Sequence, residues 1–190
     1  MSGYEAVAAG SALVAAPGLT DPNFRRTVVL IIDHRDSGTL GVVLNRPSEV
    51  PIDDVLPSWG RHATGPQSLY VGGPMEQRAA LCLAALSAGT DAGAMAGVIG
   101  LRGPLALLDL DSDPDLLAPQ VRGLRVFAGY CGWDGGQLSG EIERGDWVVV
   151  PALPDDLLAP AEVDLWSLVL RRQGMPLALL ATYPADPSHN

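Results

Sequence analysis

Two aliphatic runs with a short polar segment between them constrain the fold of this chain more than any other feature. Residues 27–32 read Thr-Val-Val-Leu-Ile-Ile, and residues 40–44 read Leu-Gly-Val-Val-Leu. Continuous rather than alternating aliphatic residues are typical of strands that are covered on both faces. A parallel crossover needs about a dozen residues or more, and the polar segment from His34 to Gly38 is much shorter. The pattern therefore predicts an antiparallel hairpin inside a sheet, with material packed on both sides.

The rest of the chain predicts strands in hairpin-like runs, with helices between and after them. Strands are expected at 11–16, 68–72, 98–101, 105–110, 125–130 and 147–150, and helices at 52–56, 113–117, 134–145 and 163–173. Residues 75–86 are ambiguous, since their alanine and leucine content favours a helix. This order indicates one α+β domain. We expect a flexible arm at 1–10, the domain at 11–183 and a loose tail at 184–190.

Polar residues bracket the predicted hairpin. The strands of an antiparallel pair start and end next to each other, so residues 21–26 are expected near Asn45 and Arg46, with His34 at the opposite, turn end. One interpretation is a polar site for a ligand, and the other is a network that only fixes the strand ends. The candidate residues are Asp21, Asn23, Arg25, Asn45 and Arg46.

A glycine-rich segment, residues 129–136, connects a predicted strand to a predicted helix. Asp134 is expected to be the helix N-cap, with Gln137 completing a capping box. Backbone amides at such a helix start can bind an anion, and the candidates are Gly129, Gly132, Asp134, Gly135 and Gly136. Alternatively, the glycines permit close packing in a tight turn. Cys131 is a candidate reactive thiol if it lies near the helix start, or else a buried small residue.

Charge and composition exclude several functional classes. The net charge is −10, and all twelve basic residues are arginine, so lysine-dependent chemistry and a Walker-A loop are excluded. Nucleic-acid binding, which depends on cation–phosphate contacts, is unfavourable. No cysteine–histidine spacing predicts a metal site, and we expect no cofactor. Two cysteines and the lack of a secretory signal or a bilayer-length apolar run predict a cytoplasmic protein.

The combined order of these motifs resembles the AlgH/YqgE family of bacterial proteins. The matching stretches are residues 10–17, 21–29, 34, 38–47, 71–74, 129–138 and 141–147. The resemblance implies a single compact α+β domain whose mixed, mostly antiparallel and strongly curved sheet is flanked by helices. It also implies a strand at about 79–85. The family's usual label is transcriptional regulator, but this sequence shows no helix-turn-helix with a basic recognition helix.

These observations predict a non-enzymatic bacterial protein that regulates through a protein partner or a small ligand. Two alternatives are kept. One is a transcriptional regulator that binds DNA directly. The other is a nucleotide- or anion-binding protein, or an enzyme of unknown reaction, that uses the Asp21, Asn23 and Arg46 end or the glycine-rich segment. The sequence leaves the oligomeric state open.

Overall fold

The computed structural model describes residues 6–186 and shows one domain built on a single curled sheet of ten strands. The strands are β1 (Ser11–Ala15), β2 (Val28–Arg35), β3 (Gly38–Val43), β4 (Pro47–Pro51), β5 (Ser68–Val71), β6 (Met75–Leu86), β7 (Val98–Gly100), β8 (Leu105–Leu108), β9 (Val121–Asp134) and β10 (Trp147–Pro151). The α-helices are short: α1 (Pro114–Leu117), α2 (Gln137–Glu143), α3 (Pro154–Leu157) and α4 (Leu165–Arg172). Single 3-10 segments occupy Ile52–Asp54, Gly60–His62, Ala92–Ala94, Ala118–Gln120 and Leu177–Thr182. The fold is therefore mostly sheet.

The main path of the sheet runs in the order β10-β1-β2-β3-β9-β6-β8-β7, and every pair along it is antiparallel. The long strand β9 joins the two halves: its first part pairs with β6 and its last part with β3. β5 adds the single parallel pairing of the described sheet, also to β9, and β4 pairs with β5. The sheet is thus mixed but mostly antiparallel.

The predicted central hairpin is confirmed. β2 and β3 pair antiparallel, with one irregularity in register between Ile31 and Asp33. Val28 and Leu30 pack into the main core, while Val29 and Ile31 pack into a second cluster on the opposite face. Because alternate side chains of a strand point to opposite faces, a strand covered on both sides must be apolar throughout, which explains the continuous aliphatic run.

The predicted amphipathic helix near the C-terminus is also confirmed, as α4. Asp164 caps it by accepting a hydrogen bond from the Ser167 amide at 3.1 Å. The buried stripe consists of Leu165, Trp166, Val169 and Leu170. The Trp166 indole Nε1 donates to the Ala15 carbonyl at 2.8 Å, which fixes the helix on β1 and closes the main core.

One ambiguous segment is resolved, and one local expectation is wrong. Residues 75–86 form a strand, as the family resemblance implies for 79–85, although their composition favours a helix; β8 and β9 pair with them on both edges. Asp134 is not the N-cap of α2 but the last residue of β9; Gly136 precedes the helix. Half of the capping box is present, since the Gln137 side chain accepts the Asp134 amide at 3.1 Å.

The two ends of the described chain differ in their packing. In the predicted arm, Val7 packs against the second cluster, and the Gly10 amide donates to Ile31 at 2.8 Å. In the predicted tail, residues 184–186 are exposed. Residues 1–5 and 187–190 lie outside the described part, so the division into arm, domain and tail stays a prediction. None of the helices between residues 6 and 186 has the length and apolarity that a bilayer crossing requires.

Candidate functional site

The ends of β2 and β3 carry a polar network of the kind that the hairpin predicts. Asn45 follows β3, and its Oδ1 accepts the Val28 amide at 3.0 Å while its Nδ2 donates to the Arg26 carbonyl at 2.9 Å. The side-chain amide therefore takes the place of a strand neighbour and extends the ladder beyond the last backbone pair. Both hydrogen-bonding groups of Asn45 are occupied by backbone.

Arg46 binds the backbone of the turn at residues 21–26, which precedes β2. Its Nη1 donates to the Pro22 carbonyl at 2.7 Å and its Nη2 to the Arg25 carbonyl at 3.0 Å. Burial lowers the pKa of the Arg46 guanidinium from its ordinary value, an effect that the nearby Asp21 carboxylate opposes. Within the turn, Asp21 Oδ1 accepts the Asn23 amide at 2.8 Å. The predicted cluster thus comes together, and its bonds run mainly to backbone, which favours the network interpretation.

Arg25 and Arg26, the two arginines of this turn, contact the start of α4 and the C-terminal segment. Arg26 has a left-handed backbone, with φ of 53°. Its guanidinium pairs with Asp164 Oδ2 at 3.0 Å and lies 4.1 Å from the centre of the Trp166 ring. It also donates to the Tyr183 carbonyl at 3.2 Å, and Arg25 donates to the Ala185 carbonyl. The C-terminal segment is therefore held by the turn before β2.

Asp164 shows the electrostatic character of this contact. Burial works to raise the pKa of its carboxyl group, but hydrogen bonds from Ser167 and the charge of Arg26 outweigh that effect, and the pKa is lowered. The carboxylate stays ionised at neutral pH. It neutralises Arg26 at the start of α4.

A cavity of about 260 Å³ opens beside these groups, and we name it the Arg25 cavity. Its lining is mostly apolar, with two guanidinium groups at Arg25 and Arg26. The other lining residues are Ala16, Pro17, Leu19, Thr20, Trp166, Tyr183, Pro184 and Ala185. Apolar walls with a few convergent polar groups are typical of small-ligand sites.

The glycine-rich segment is not a loop. Gly129 and Gly132 lie within β9, whereas Gly135 and Gly136 form the exposed turn before α2. A Cβ on Gly129 would lie 2.6 Å from the Gly73 carbonyl oxygen and 2.8 Å from that of Met75. Gly129 therefore allows two backbones to cross closely, whereas a Cβ on Gly132 would meet the side chain of Met75. The five candidate residues do not converge on one anion-binding surface, and α2 has only seven residues.

Cys131 is fully buried between these crossing segments. Burial raises the pKa of its thiol to about 12, although the charge of Arg46 acts in the opposite direction. Its Sγ lies 3.6 Å from the Gly72 carbonyl as a weak donor. Because the thiolate is the nucleophile, a protonated, inaccessible thiol fits the alternative of a buried small residue. Cys82 is likewise buried, and its pKa is raised.

His34 lies at the turn end of the hairpin, far along β2 from Asn45, as expected. Its Nδ1 is 2.7 Å from the Thr39 hydroxyl. The turn between β2 and β3 meets the end of β9, where Gly38 pairs with Asp134. A polar depression of about 230 Å³ lies there. Among the described residues, no three histidine, cysteine or acidic side chains are placed to hold a metal ion.

Sequence reasoning missed a buried arginine. Arg125, in the middle of β9, is 1% exposed and donates to the carbonyls of Leu157 at 2.7 Å, Ala159 at 2.6 Å and Gly65 at 2.9 Å. Its guanidinium lies 4.6 Å from the centre of the Tyr70 ring, and burial lowers its pKa. The signal was a single cation in the apolar segment 124–128. Arg125 ties two loops to the sheet.

Fold and site together define a class: a small single-domain protein on one curled, mostly antiparallel sheet, with a polar strand-end network and a cavity beside it. The chain belongs to the AlgH-like family, DUF179, whose sequence model matches residues 12–178. This confirms the resemblance found in the motifs.

Relatives and solved structures cover nearly the whole chain. A UPF0301 protein of Mycobacterium ulcerans is 54% identical over 97% of this chain and 92% of its own length. A UPF0301 protein of Rhodococcus jostii is 54% identical over 95% and 90%. The crystal structure of protein DIP2367 from Corynebacterium diphtheriae superposes with a TM-score of 0.91 at 43% identity, covering 94% of this chain and 93% of that one. The solution structure of the AlgH protein from Pseudomonas aeruginosa gives 0.66 at 29% identity, covering 92% and 93%.

Proposed function

We propose that this protein is a non-enzymatic, cytoplasmic regulator that binds a small organic anion in the Arg25 cavity. The observation that carries the proposal is the Arg25 guanidinium, which forms no ion pair among residues 6–186 and lies beside mostly apolar walls. A carboxylate on a short aliphatic or aromatic body matches both features. The volume of about 260 Å³ lies just below the usual range of about 300–1,000 Å³ for ligand pockets, so the ligand is small.

The hydrogen bonds of Arg25 support an anionic ligand. Arg25 donates to the neutral backbone carbonyl of Ala185, whereas Arg26 donates to the carbonyl of Tyr183 but is already neutralised by Asp164. Hydrogen bonds between a guanidinium and a carboxylate are roughly twice as strong as those between neutral groups. A carboxylate entering the cavity can therefore replace the Ala185 carbonyl as the partner of Arg25 and change the position of the segment that carries this carbonyl. That change is the regulatory signal in this proposal.

The state of the two cysteines supports a reducing compartment, and it supports a role in binding rather than in catalysis. Both are unpaired and buried, and the raised pKa of Cys131 leaves its thiol without nucleophilic character at neutral pH. The polar groups of Asn45 and Arg46 are committed to backbone.

The pairing of the arginines argues against the alternative of direct DNA binding. Arg26 forms an ion pair with Asp164, and Arg172 forms one with Asp156. Arg46 donates its hydrogen bonds to backbone carbonyls. Cations that are already neutralised contribute little to phosphate binding, and the net charge is −10. A gel shift at low salt with promoter fragments tests this alternative; saturable binding there would favour it over ours.

The ligand proposal is tested by isothermal titration calorimetry with a panel of short aliphatic and aromatic carboxylates. We expect at least one to bind, and Arg25→Met to weaken it about tenfold, because one charge-assisted hydrogen bond is lost. The matched control is Arg35→Met, an exposed arginine at the hairpin turn that pairs with Asp33; it should bind as the wild type does. No binding by any carboxylate, or equal loss in both variants, would refute the proposal.

A further inference from the structure

The sheet ends at β7, and its edge is open. β7 (Val98–Gly100) has only three residues and, within the described chain, pairs only with β8. An edge strand presents unpaired backbone amides and carbonyls on its outer side. Such an edge can accept an extended peptide as an additional strand.

One face of the sheet is left uncovered at this edge. Cross-strand register places Leu83 opposite Leu107 and Leu107 opposite Ile99, so these side chains share a face. Leu83 is fully buried in the main core, Leu107 is half-buried, and Ile99 is 65% exposed. The core therefore covers this face at β6 and partly at β8, and at β7 the aliphatic row is exposed to solvent.

The uncovered face forms a groove of about 570 Å³, which we name the Ile99 groove. On this face its aliphatic part is formed by Leu81, Ile99 and Leu107, and its acidic rim by Asp109 and Asp111. It is larger than the Arg25 cavity and lies apart from it, since the two share no lining residue.

The rim is negatively charged and not neutralised. Asp109 Oδ1 accepts the Asp111 amide at 2.9 Å, which keeps both carboxylates on the loop that follows β8. Between residues 6 and 186, neither carboxylate forms an ion pair, whereas Asp115 further along pairs with Arg61. A partner that covers the groove therefore has to bring cations to this rim as well as apolar side chains to its floor.

We propose that the Ile99 groove binds an extended, basic segment of a partner protein, which adds to the edge of β7 as a further strand. Along an extended segment alternate side chains point to the same side. Aliphatic residues of the partner would continue the row formed by Leu107 and Ile99, and arginine or lysine residues would meet Asp109 and Asp111. Charge complementarity favours this occupant over a second copy of the chain, since two copies would bring two acidic rims together.

The test uses the full chain and a fluorescein-labelled peptide of alternating arginine and valine, with fluorescence anisotropy as the readout. We expect saturable binding that weakens with salt, and none for the same peptide with glutamate in place of arginine. Ile99→Glu should weaken binding at least about tenfold through lost burial and repulsion. Asp111→Asn should weaken it about two- to fivefold, as an exposed charge pair allows.

Two matched variants control for general effects. Leu168→Glu changes an exposed aliphatic residue of α4 that is 47% exposed, and Asp36→Asn removes an exposed charge at the hairpin turn; both should bind the peptide as the wild type does. Because Ile99 and Asp111 are exposed, circular dichroism should show all four variants folded.

Three outcomes overturn the proposal. The first is failure of the arginine–valine peptide to bind, and the second is equal binding by wild type and Ile99→Glu. The third is a dimer in analytical ultracentrifugation that Ile99→Glu dissociates, which would identify a second copy as the occupant. Carboxylate binding in the Arg25 cavity is expected to be unchanged in Ile99→Glu, so failure of this proposal is distinguishable from failure of the proposed function.

Discussion

Replacing Gly129 by alanine tests whether the glycine-rich segment exists for close packing. Gly129 has φ of 78° and is buried where β9 crosses residues 72–75. Gly136 has φ of 82°, yet a Cβ there would meet nothing within 4 Å. The two positions therefore demand the same backbone conformation and differ in their surroundings. Gly136→Ala is the matched control.

The expected loss of unfolding free energy for each variant can be estimated from this difference in surroundings. A left-handed alanine costs about 1–2 kcal/mol, partly offset by about 0.4–1 kcal/mol from the stiffer unfolded chain; both variants share these contributions. Gly129→Ala additionally places Cβ 2.6 Å from the Gly73 oxygen and 2.8 Å from the Met75 oxygen. Both are backbone atoms that cannot rotate away, so the strands must separate, at a cost of about 1–3 kcal/mol.

Urea denaturation followed by circular dichroism and tryptophan fluorescence measures both variants. We expect Gly129→Ala to be less stable than Gly136→Ala by about 1–3 kcal/mol, or about 2–12 °C in Tm at this chain length. An unchanged denaturant slope would show that the difference lies in the native state. Equal stability of the two variants would refute the close-packing explanation and restore a role in binding for these glycines.

Three other predictions concern the polar groups. Asn45→Ala should destabilise the protein by about 1–3 kcal/mol, because a backbone amide and a carbonyl lose their partner; in thermal unfolding the exposed Asn23→Ala should change little, and equal effects would contradict this account. Hydrogen bonds from Arg61 and His62 lower the pKa of Asp115, so the ionised carboxylate stabilises the fold above its unfolded pKa of about 3.9, and this stabilisation is lost as pH falls through the lower folded pKa. The difference in stability between the wild type and Asp115→Asn should therefore shrink below about pH 4. A difference that stays constant down to about pH 2 would refute this account. Cys131, with its pKa raised to about 12 by burial, should resist thiol-labelling reagents in the native protein at pH 8 and react on unfolding; rapid native labelling would restore it as a reactive thiol.

The predicted hairpin and the amphipathic helix show what local pattern can establish. The aliphatic runs of β2 and β3 lie on either side of a short turn, so their pairing needs only nearby residues. The stripe of α4 and its cap at Asp164 are likewise contained within about two turns. In both elements local preference and final packing agree.

Local sequence was insufficient where distant strands decide the local structure. The composition of residues 75–86 favours a helix, but β8 and β9 provide partners on both edges, and their hydrogen bonds outweigh the propensity. Asp134 has the residue type of an N-cap, yet its pairing with Gly38 extends β9 through it. The spacing of glycines at 129–136 could not show that residues 72–75 cross them.

The sequence by itself determined the family, the central hairpin, the last helix and the proximity of Asn45 and Arg46 to the turn at residues 21–26, because each depends on short-range periodicity or on motif order. Only the tertiary structure decided the environment of Arg125, the burial of Cys131, the Arg25 cavity and the Ile99 groove. Each of these is formed by residues from segments far apart in the chain. Burial, which sets pKa and accessibility, is a property of that assembly rather than of any local stretch.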